Sequence, residues 1–208
     1  MHNIIVKATT EEEFRARQWW NKLESQWKMA FNEGLFGVGP TLEPPRTEFL
    51  IMMLTRVDKV RLSGPGAAHP NLSFKLTNLS GVAGLTNLNF LTVANAKIQD
   101  LTYLAHHYKL ESLFLNNNNI SQLTGLEGLT ALKNLYLNVN EITDLRPLKK
   151  LTNLETLYVN YNKLTSLKGI KAKHAKKLKN FFVEPNEDLL HSEIVRLQLK
   201  CGILCRRG

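Results

Sequence analysis

Leucines and other aliphatic residues recur along the chain with a period of 22 residues. Each copy has an aliphatic residue at its first, fourth and sixth positions and an asparagine at its ninth, as in Leu110-x-x-Leu113-x-Leu115-x-x-Asn118-x-Ile120. The next two copies begin at Leu132 and Leu154. A fixed period of this length predicts a stack of similar small units, not a globule built around one site.

Each unit contains two hydrophobic patterns that predict different local structures. The leucines at the fourth and sixth positions alternate with other residues, which predicts a short strand with one side facing inward. Successive strands are separated by one whole coil, so we expect them to pair in parallel. The later leucines of a unit recur every three residues, as at Leu123, Leu126 and Leu129. That spacing fits a tight 3₁₀-like return path whose apolar edge faces the same core.

An asparagine stands where each predicted strand becomes a turn, and its amide suits that position. The backbone there leaves peptide groups without strand partners, and a buried amide can bond such groups in its own and adjacent coils. The asparagines in question are Asn118, Asn140, Asn162 and Asn186. Ala96 and Pro65 take this place in earlier units. We call this row of asparagines the asparagine ladder. We expect it to be interrupted in the units that carry Ala96 and Pro65, so that fewer hydrogen bonds hold those coils together.

Residues 1–55 lack the repeat and predict a helical N-terminal cap. Thr9 with Glu12, or Thr10 with Glu13, can form a capping box. Apolar residues then follow helical spacing up to Phe31, and Gly34 is expected to end the helix. A second short helix is expected from about residue 46 to 54. Terminal repeats have an exposed apolar end, and the helical side chains expected to cover it are Trp20, Trp27 and Phe31.

The repeats are expected over residues 56–188, as about six units with an insertion near residues 63–71. The remaining residues, 189–208, allow two interpretations. Leu190, Ile194, Leu197 and Cys201 lie on one helical face and predict a short C-terminal cap. Ile194-x-x-Leu197-x-Leu199 also has the strand spacing of a degenerate final repeat. The cap is slightly favoured.

Over residues 57–186 the units resemble leucine-rich repeats of the 22-residue class, found in bacterial internalins and in the regulatory subunit of protein phosphatase 1. The resemblance implies an α/β solenoid, a right-handed superhelix with a short-stranded parallel sheet on its concave face. It also implies a role in gripping other proteins. The disulfide-bonded caps usual in extracellular members are missing from this sequence, which favours an intracellular or a bacterial member.

Aromatic residues occupy the outward position between the two strand leucines in four adjacent units. We call Phe114, Tyr136, Tyr158 and Phe182 the aromatic column; Arg61 and Thr92 hold this position earlier. Polar and aromatic neighbours complete the candidate partner-binding residues, namely Phe90, Asn116, Asn138, Asn160 and Tyr161. Rigid aromatic side chains dominate protein interfaces, so the pattern favours binding of a protein or peptide. Cross-strand aromatic pairs can also serve the sheet alone.

The chain carries a formal net charge of +9, concentrated in one segment. We call the basic side chains among residues 146–179 the basic rim; its densest lysines are Lys168, Lys171, Lys173, Lys176, Lys177 and Lys179. Such a field can attract nucleic acid or another anionic surface, which is the alternative function. A solvated, solubilising rim is the more ordinary interpretation. The geometry of the units places most of these lysines on return segments, away from the aromatic column.

Residues with catalytic or metal-binding chemistry are sparse. Phosphate loops, nucleophile elbows and zinc-protease motifs are missing, so we expect no enzyme, cofactor or metal. His106 and His107 fall on a return path, where exposed polar residues are normal. Cys201 and Cys205 are expected to be free thiols. The sequence has no membrane span or secretory segment, which predicts a cytoplasmic protein, expected to be monomeric.

Overall fold

A parallel sheet, with its strands in chain order, forms the frame of the molecule. The computed structural model describes residues 9–67 and 71–208, and within them seven strands pair in the order β1 to β7. The strands are β1 Lys59–Ser63, β2 Phe90–Ala94, β3 Ser112–Phe114, β4 Asn134–Tyr136, β5 Thr156–Tyr158, β6 Asn180–Glu184 and β7 Cys205–Arg207. Leu113 pairs with Leu135, and Leu135 with Leu157, so one coil separates neighbouring strands. The predicted 22-residue stack is confirmed.

Leucines from both sides of each coil fill one continuous core. Leu113, Leu135 and Leu157 point inward from the strands and are fully buried. The chain returns through 3₁₀ turns, as predicted, at Ser80–Val82, Thr102–Leu104, Arg146–Lys150 and Ala172–His174. The coil with Leu123, Leu126 and Leu129 returns through single hydrogen-bonded turns instead, with the amides of Leu126 and Leu129 donating three residues back. Burying a leucine stabilises the fold by roughly 1.5–3 kcal/mol. That stabilisation depends on coils stacked on both sides.

The asparagine ladder is confirmed, and Asn140 shows how it works. Its Nδ2 donates to the carbonyl of Leu115 in the preceding coil (3.0 Å) and to that of Leu137 in its own coil (3.1 Å). Its Oδ1 accepts from the amide of Ile120 at 3.0 Å. Equivalent bonds are made by Asn118, Asn162 and Asn186. Each amide therefore binds two neighbouring coils together.

The N-terminal helices begin as predicted but end differently. Helix α1, Thr10–Lys22, starts at the Thr9–Glu12 capping box. The apolar face then continues in a separate helix, α2 (Ser25–Phe31), and in a π-helical turn, Asn32–Phe36. Gly34 lies inside that turn, so the prediction that it ends the helix is wrong. Gly37 ends it instead, because its φ of 68° is the left-handed conformation that glycine adopts readily.

Side chains of α2 pack against the first coil of the stack. The Trp27 ring lies over Gly81, where a Cβ would sit 2.0 Å from it, and its Nε1 donates to Asn78 Oδ1 at 3.1 Å. Helix α3, Thr47–Thr55, buries Leu50 and Met53 in the same core. These contacts support the proposed cap at residues 1–55. Of the expected insertion at 63–71, residues 68–70 lie outside the described residues, as do residues 1–8 of the cap.

The C-terminal residues form both a helix and a strand. Helix α4, His191–Cys201, buries Ile194 and Leu197, so the strand interpretation of residues 194–199 is wrong. Glu193 fastens the helix to the preceding coil by accepting from the amide of Leu167 (2.8 Å) and the Oγ of Ser166 (3.0 Å). Arg196 and these donors lower the pKa of Glu193 to about 2. The strand β7, which the sequence did not predict, then pairs with β6.

Candidate functional site

The aromatic column is a continuous stack of rings on the outward face of the sheet. The ring centroids of Phe114 and Tyr136 are 4.5 Å apart, those of Tyr136 and Tyr158 also 4.5 Å, and those of Tyr158 and Phe182 4.2 Å. Their planes differ by only 12–21°. All four side chains are half-buried. Because each ring covers the faces of its neighbours, the stack presents mainly ring edges to solvent.

Two arginines lie at the ends of the stacked rings. Phe90, in register with Ser112, lies beside the column and contacts Phe114 with ring centroids 5.2 Å apart. The Arg61 guanidinium lies 4.8 Å from the centre of the Phe90 ring. At the other end, the Arg206 guanidinium lies 6.0 Å from the Phe182 ring. Sequence reasoning missed Arg206 because it did not predict β7.

We call the three predicted contact asparagines, Asn116, Asn138 and Asn160, the asparagine column. Only two of them have side chains that reach the surface. Asn116 and Asn138 are half-buried, as an interface residue can be. Asn160 is only 4% exposed, so its predicted role as a contact residue is wrong. The chain after β7 covers it: the Gly208 amide donates to Glu184 O at 2.8 Å, and a Cβ on Gly208 would lie 2.8 Å from Asn160 Nδ2. Asn160 Oδ1 has no hydrogen-bond partner among the described residues.

Bulky residues adopt a left-handed conformation next to the asparagine column. Val139 and Tyr161 have φ values of 58° and 55°, and their side chains are 43% and 54% exposed. In two earlier coils the equivalent positions are Asn95 and Asn117, a residue type that tolerates this conformation. A left-handed residue with a Cβ costs roughly 1–2 kcal/mol. Exposed apolar side chains held at that cost, beside the aromatic column, enlarge the apolar surface there.

The tyrosine hydroxyls in the column provide hydrogen-bonding capacity without charge. Burial raises the pKa of Tyr136 above its usual value, with a smaller contribution from Tyr158. Tyr136 therefore stays neutral at and well above neutral pH. Its hydroxyl can donate or accept a hydrogen bond at the surface of an otherwise apolar stack.

Most lysines of the basic rim lie on return segments, away from the aromatic column, as expected, whereas Lys179 directly precedes strand β6. All six of the densest ones, Lys168, Lys171, Lys173, Lys176, Lys177 and Lys179, are exposed. Lys150, Lys173, Lys176 and Lys177 line a hollow of about 480 Å³ on the return side of two coils. Lys177 Nζ donates to Asn153 Oδ1 there, at 2.7 Å. The rim and the column are two separate surfaces.

Packing or solvent exposure accounts for the surroundings of His106, His107, His174, Cys201 and Cys205. His106 is exposed as expected, but His107 is buried, with its Nε2 3.0 Å from the Val82 carbonyl of the preceding coil. His174 makes the equivalent contact with Leu148, and burial lowers its pKa. Cys201 and Cys205 are free, as predicted, and burial raises the pKa of Cys205 to about 11. Within residues 9–67 and 71–208, no cluster of three or more His, Cys, Asp or Glu could hold a metal ion.

No helix among the described residues is both long and apolar enough to cross a lipid bilayer.

Comparison with known proteins identifies the repeats. A family model described as leucine-rich repeats (two copies) matches residues 108–150 and 130–172. No curated protein matches the chain. The structure is similar to that of internalin C2 from Listeria monocytogenes, at 28% identity and a TM-score of 0.51 over 65% of this chain and 60% of that one.

Two more solved structures share the fold. A second internalin from Listeria monocytogenes is 20% identical, with a TM-score of 0.52 over 89% of this chain and 65% of that one. A leucine-rich repeat protein from Leptospira interrogans is 19% identical, with a TM-score of 0.59 over 80% of this chain and 40% of that one. The chain thus spans less than two thirds of the length of each of these three proteins. The predicted α/β solenoid is confirmed.

Proposed function

The chain is a leucine-rich repeat protein of the 22-residue class, similar to internalins, and from this premise we propose that its concave sheet face binds a protein or peptide partner. Leucine-rich repeat proteins generally mediate protein–protein interaction. The proposed contact residues are the aromatic column with Phe90, Asn116, Asn138 and Tyr161. We assign the chain no catalytic activity.

The observation that carries this proposal is the unbroken ring stack across four strands. A sheet that faced only water would not need four half-buried aromatic rings in one line, and a contiguous apolar patch at the surface commonly marks an interaction site. The stacking also fixes each ring, so little side-chain entropy remains to be lost when a partner binds. A preformed aromatic surface flanked by amide groups has the composition of a protein-binding hot spot.

The proposal predicts that the double variant Tyr136→Ala/Tyr158→Ala loses its partner. Truncating two central rings removes contact area where hot-spot residues concentrate, so we expect at least a tenfold fall in partner capture. Capture from lysate would be measured by quantitative mass spectrometry, with circular dichroism and thermal unfolding confirming that the variant is folded.

The matched control is Tyr103→Ala/Tyr108→Ala. These two tyrosines are 39% and 59% exposed and lie on a return path, away from the column. The control should capture the same proteins as the unaltered chain. If both folded double variants capture the same proteins equally, the aromatic column is not the binding face.

A second candidate function is nucleic-acid or anionic-surface binding through the basic rim. The observation that favours it is the hollow lined by Lys150, Lys173, Lys176 and Lys177. We predict that binding to duplex DNA through this rim falls steeply with salt, by about tenfold or more between 50 and 200 mM, because phosphate contacts release counterions. Fluorescence anisotropy with Lys173→Glu/Lys176→Glu as the comparison variant measures this. Binding that is flat with salt, or unchanged in the variant, would exclude the candidate.

A cytoplasmic location and a monomeric state also stay predictions. They affect which partner the chain can meet, but the proposed binding face does not depend on either.

A further inference from the structure

Charge on the outward face of the sheet is confined to its two ends. The outward residues of β2–β5 carry no formal charge, whereas β1 presents Lys59 and Arg61, and β7 presents Arg206 beside the Phe182 ring. Glu184 on β6 is the one carboxylate among the outward strand residues, and it is in register with Arg207. The aromatic column therefore lies between two basic ends.

We propose that the partner segment is an acidic peptide that runs across the strands, with carboxylates at Arg61 and Arg206 and apolar side chains over the rings between them. This inference rests on the proposed function, since it names the chemistry of the partner at the same face.

Arg61 and Arg206 are both placed to bind a carboxylate by donating hydrogen bonds to it. Each guanidinium lies by an aromatic ring, at 4.8 Å for Arg61 and 6.0 Å for Arg206. Stacking of this kind leaves the planar N–H fork free for a bidentate carboxylate contact. The ion pairs found among the described residues involve other side chains.

The rings between the arginines favour the same partner chemistry. An aromatic ring has a negative face and a positive edge. In the column the faces are covered by neighbouring rings 4.2–4.5 Å away, so the edges remain for the partner. Positive ring edges suit the backbone carbonyl oxygens of a peptide whose apolar side chains pack over the column. Nucleic-acid bases would instead need open ring faces to stack upon.

The distance between the basic ends sets the length of the peptide. Arg61 is on β1 and Arg206 on β7, so six strand spacings of about 4.8 Å separate them, roughly 29 Å in total. An extended peptide advances about 3.3 Å per residue. The two acidic residues should therefore be about nine positions apart, with apolar residues between them. A second copy of this chain is a poor occupant, because two chains of charge +9 repel each other.

Selection from a displayed library of random 12-residue peptides tests this inference. Peptides selected on the unaltered chain should be enriched in Asp or Glu at two positions about nine apart, with aromatic or aliphatic residues between. On R61E/R206E, the same positions should be enriched in Lys or Arg. Synthetic peptides from the first selection should bind R61E/R206E at least tenfold more weakly. They should bind Arg17→Glu/Lys22→Glu, which carries the same charge change at exposed positions of helix α1, about as tightly as the unaltered chain.

The outcomes separate this inference from the proposed function. Peptides that lose binding to Tyr136→Ala/Tyr158→Ala but show no acidic enrichment would overturn the acidic-peptide inference and leave the proposed function standing. Failure to select any peptide that depends on the aromatic column would overturn the acidic-peptide inference. The proposed function would fall with it only if Tyr136→Ala/Tyr158→Ala also captured partners as well as the unaltered chain. A 12-residue oligothymidine that binds more tightly than the selected peptides, and loses binding in R61E/R206E, would also overturn the inference in favour of nucleic acid.

Discussion

Replacing Asn140 with alanine is expected to lower the free energy of unfolding by about 3 kcal/mol. The Asn140 side chain donates to Leu115 O and Leu137 O and accepts from the amide of Ile120, at 3.0–3.1 Å. Alanine would leave these three backbone groups without their partner. A buried polar group left unsatisfied costs about 1–3 kcal/mol, and partial relaxation of the coils should recover some of the total. Denaturant unfolding followed by circular dichroism measures the change.

Asn138→Ala is the matched control for this prediction. Asn138 is the same residue type two positions earlier, but its half-buried side chain points outward beside the aromatic column. We expect its replacement to change the unfolding free energy by no more than about 0.5 kcal/mol. Equal effects of the two substitutions would show that the ladder does not hold adjacent coils together.

The repeated units could be predicted from the sequence because each one restates the same constraints. Leu113, Leu135 and Leu157 share one position in successive copies, so their spacing determines the register as well as the strands. Once the register is known, residues at the same outward position must line up. The stacking of Phe114, Tyr136, Tyr158 and Phe182 could thus be predicted, since local alternation and the repeat period together determine it.

The ends of the chain could not be predicted in the same way, because their residues do not carry the repeat motif and their contacts therefore cannot be inferred from its period. Strand β7 is three residues long, and Cys205 follows its partner Phe181 by the same 24 residues that separate Phe181 from Leu157. Its sequence, Cys205-Arg206-Arg207, nevertheless lacks the leucine pattern of the repeat, so the strand could not be recognised. Neither Arg206 at the end of the ring stack nor the burial of Asn160 follows from local pattern. Both result from that one unpredicted pairing.

Buried polar residues show a second limit of periodicity. His107 is a polar residue on a return path, where the sequence pattern predicts a surface position. Its ring is nevertheless buried against the Val82 carbonyl of the preceding coil. Such a residue is polar in sequence and internal in structure because one long-range hydrogen bond holds its Nε2, although its Nδ1 has no hydrogen-bond partner among the described residues. Pattern analysis assigns polar residues to the surface and cannot recognise that bond.

The second large prediction concerns a glycine on the return side of the stack. We expect Gly125→Ala to lower the free energy of unfolding by about 3 kcal/mol or more. Gly125 has a φ of 104°, and a Cβ there would lie 2.3 Å from the carbonyl oxygen of Leu101 in the preceding coil. Left-handed backbone is unfavourable for alanine, and the contact is with backbone that cannot rotate away. Thermal and denaturant unfolding measure the loss.

Gly128→Ala, in the same coil, separates this effect from the general consequences of adding a methyl group. A Cβ at Gly128 would meet the Tyr108 ring at 3.4 Å and the carbonyl oxygen of Ala105 at 4.0 Å, which are ordinary contact distances, and no left-handed φ is required there. Alanine also restricts the unfolded chain, so this variant should change stability by less than about 1 kcal/mol, in either direction. If the two variants were equally stable, the return path would have room to shift. The spacing of the coils would then be set by the strands and the asparagine ladder alone, without the close approach of backbone at Gly125.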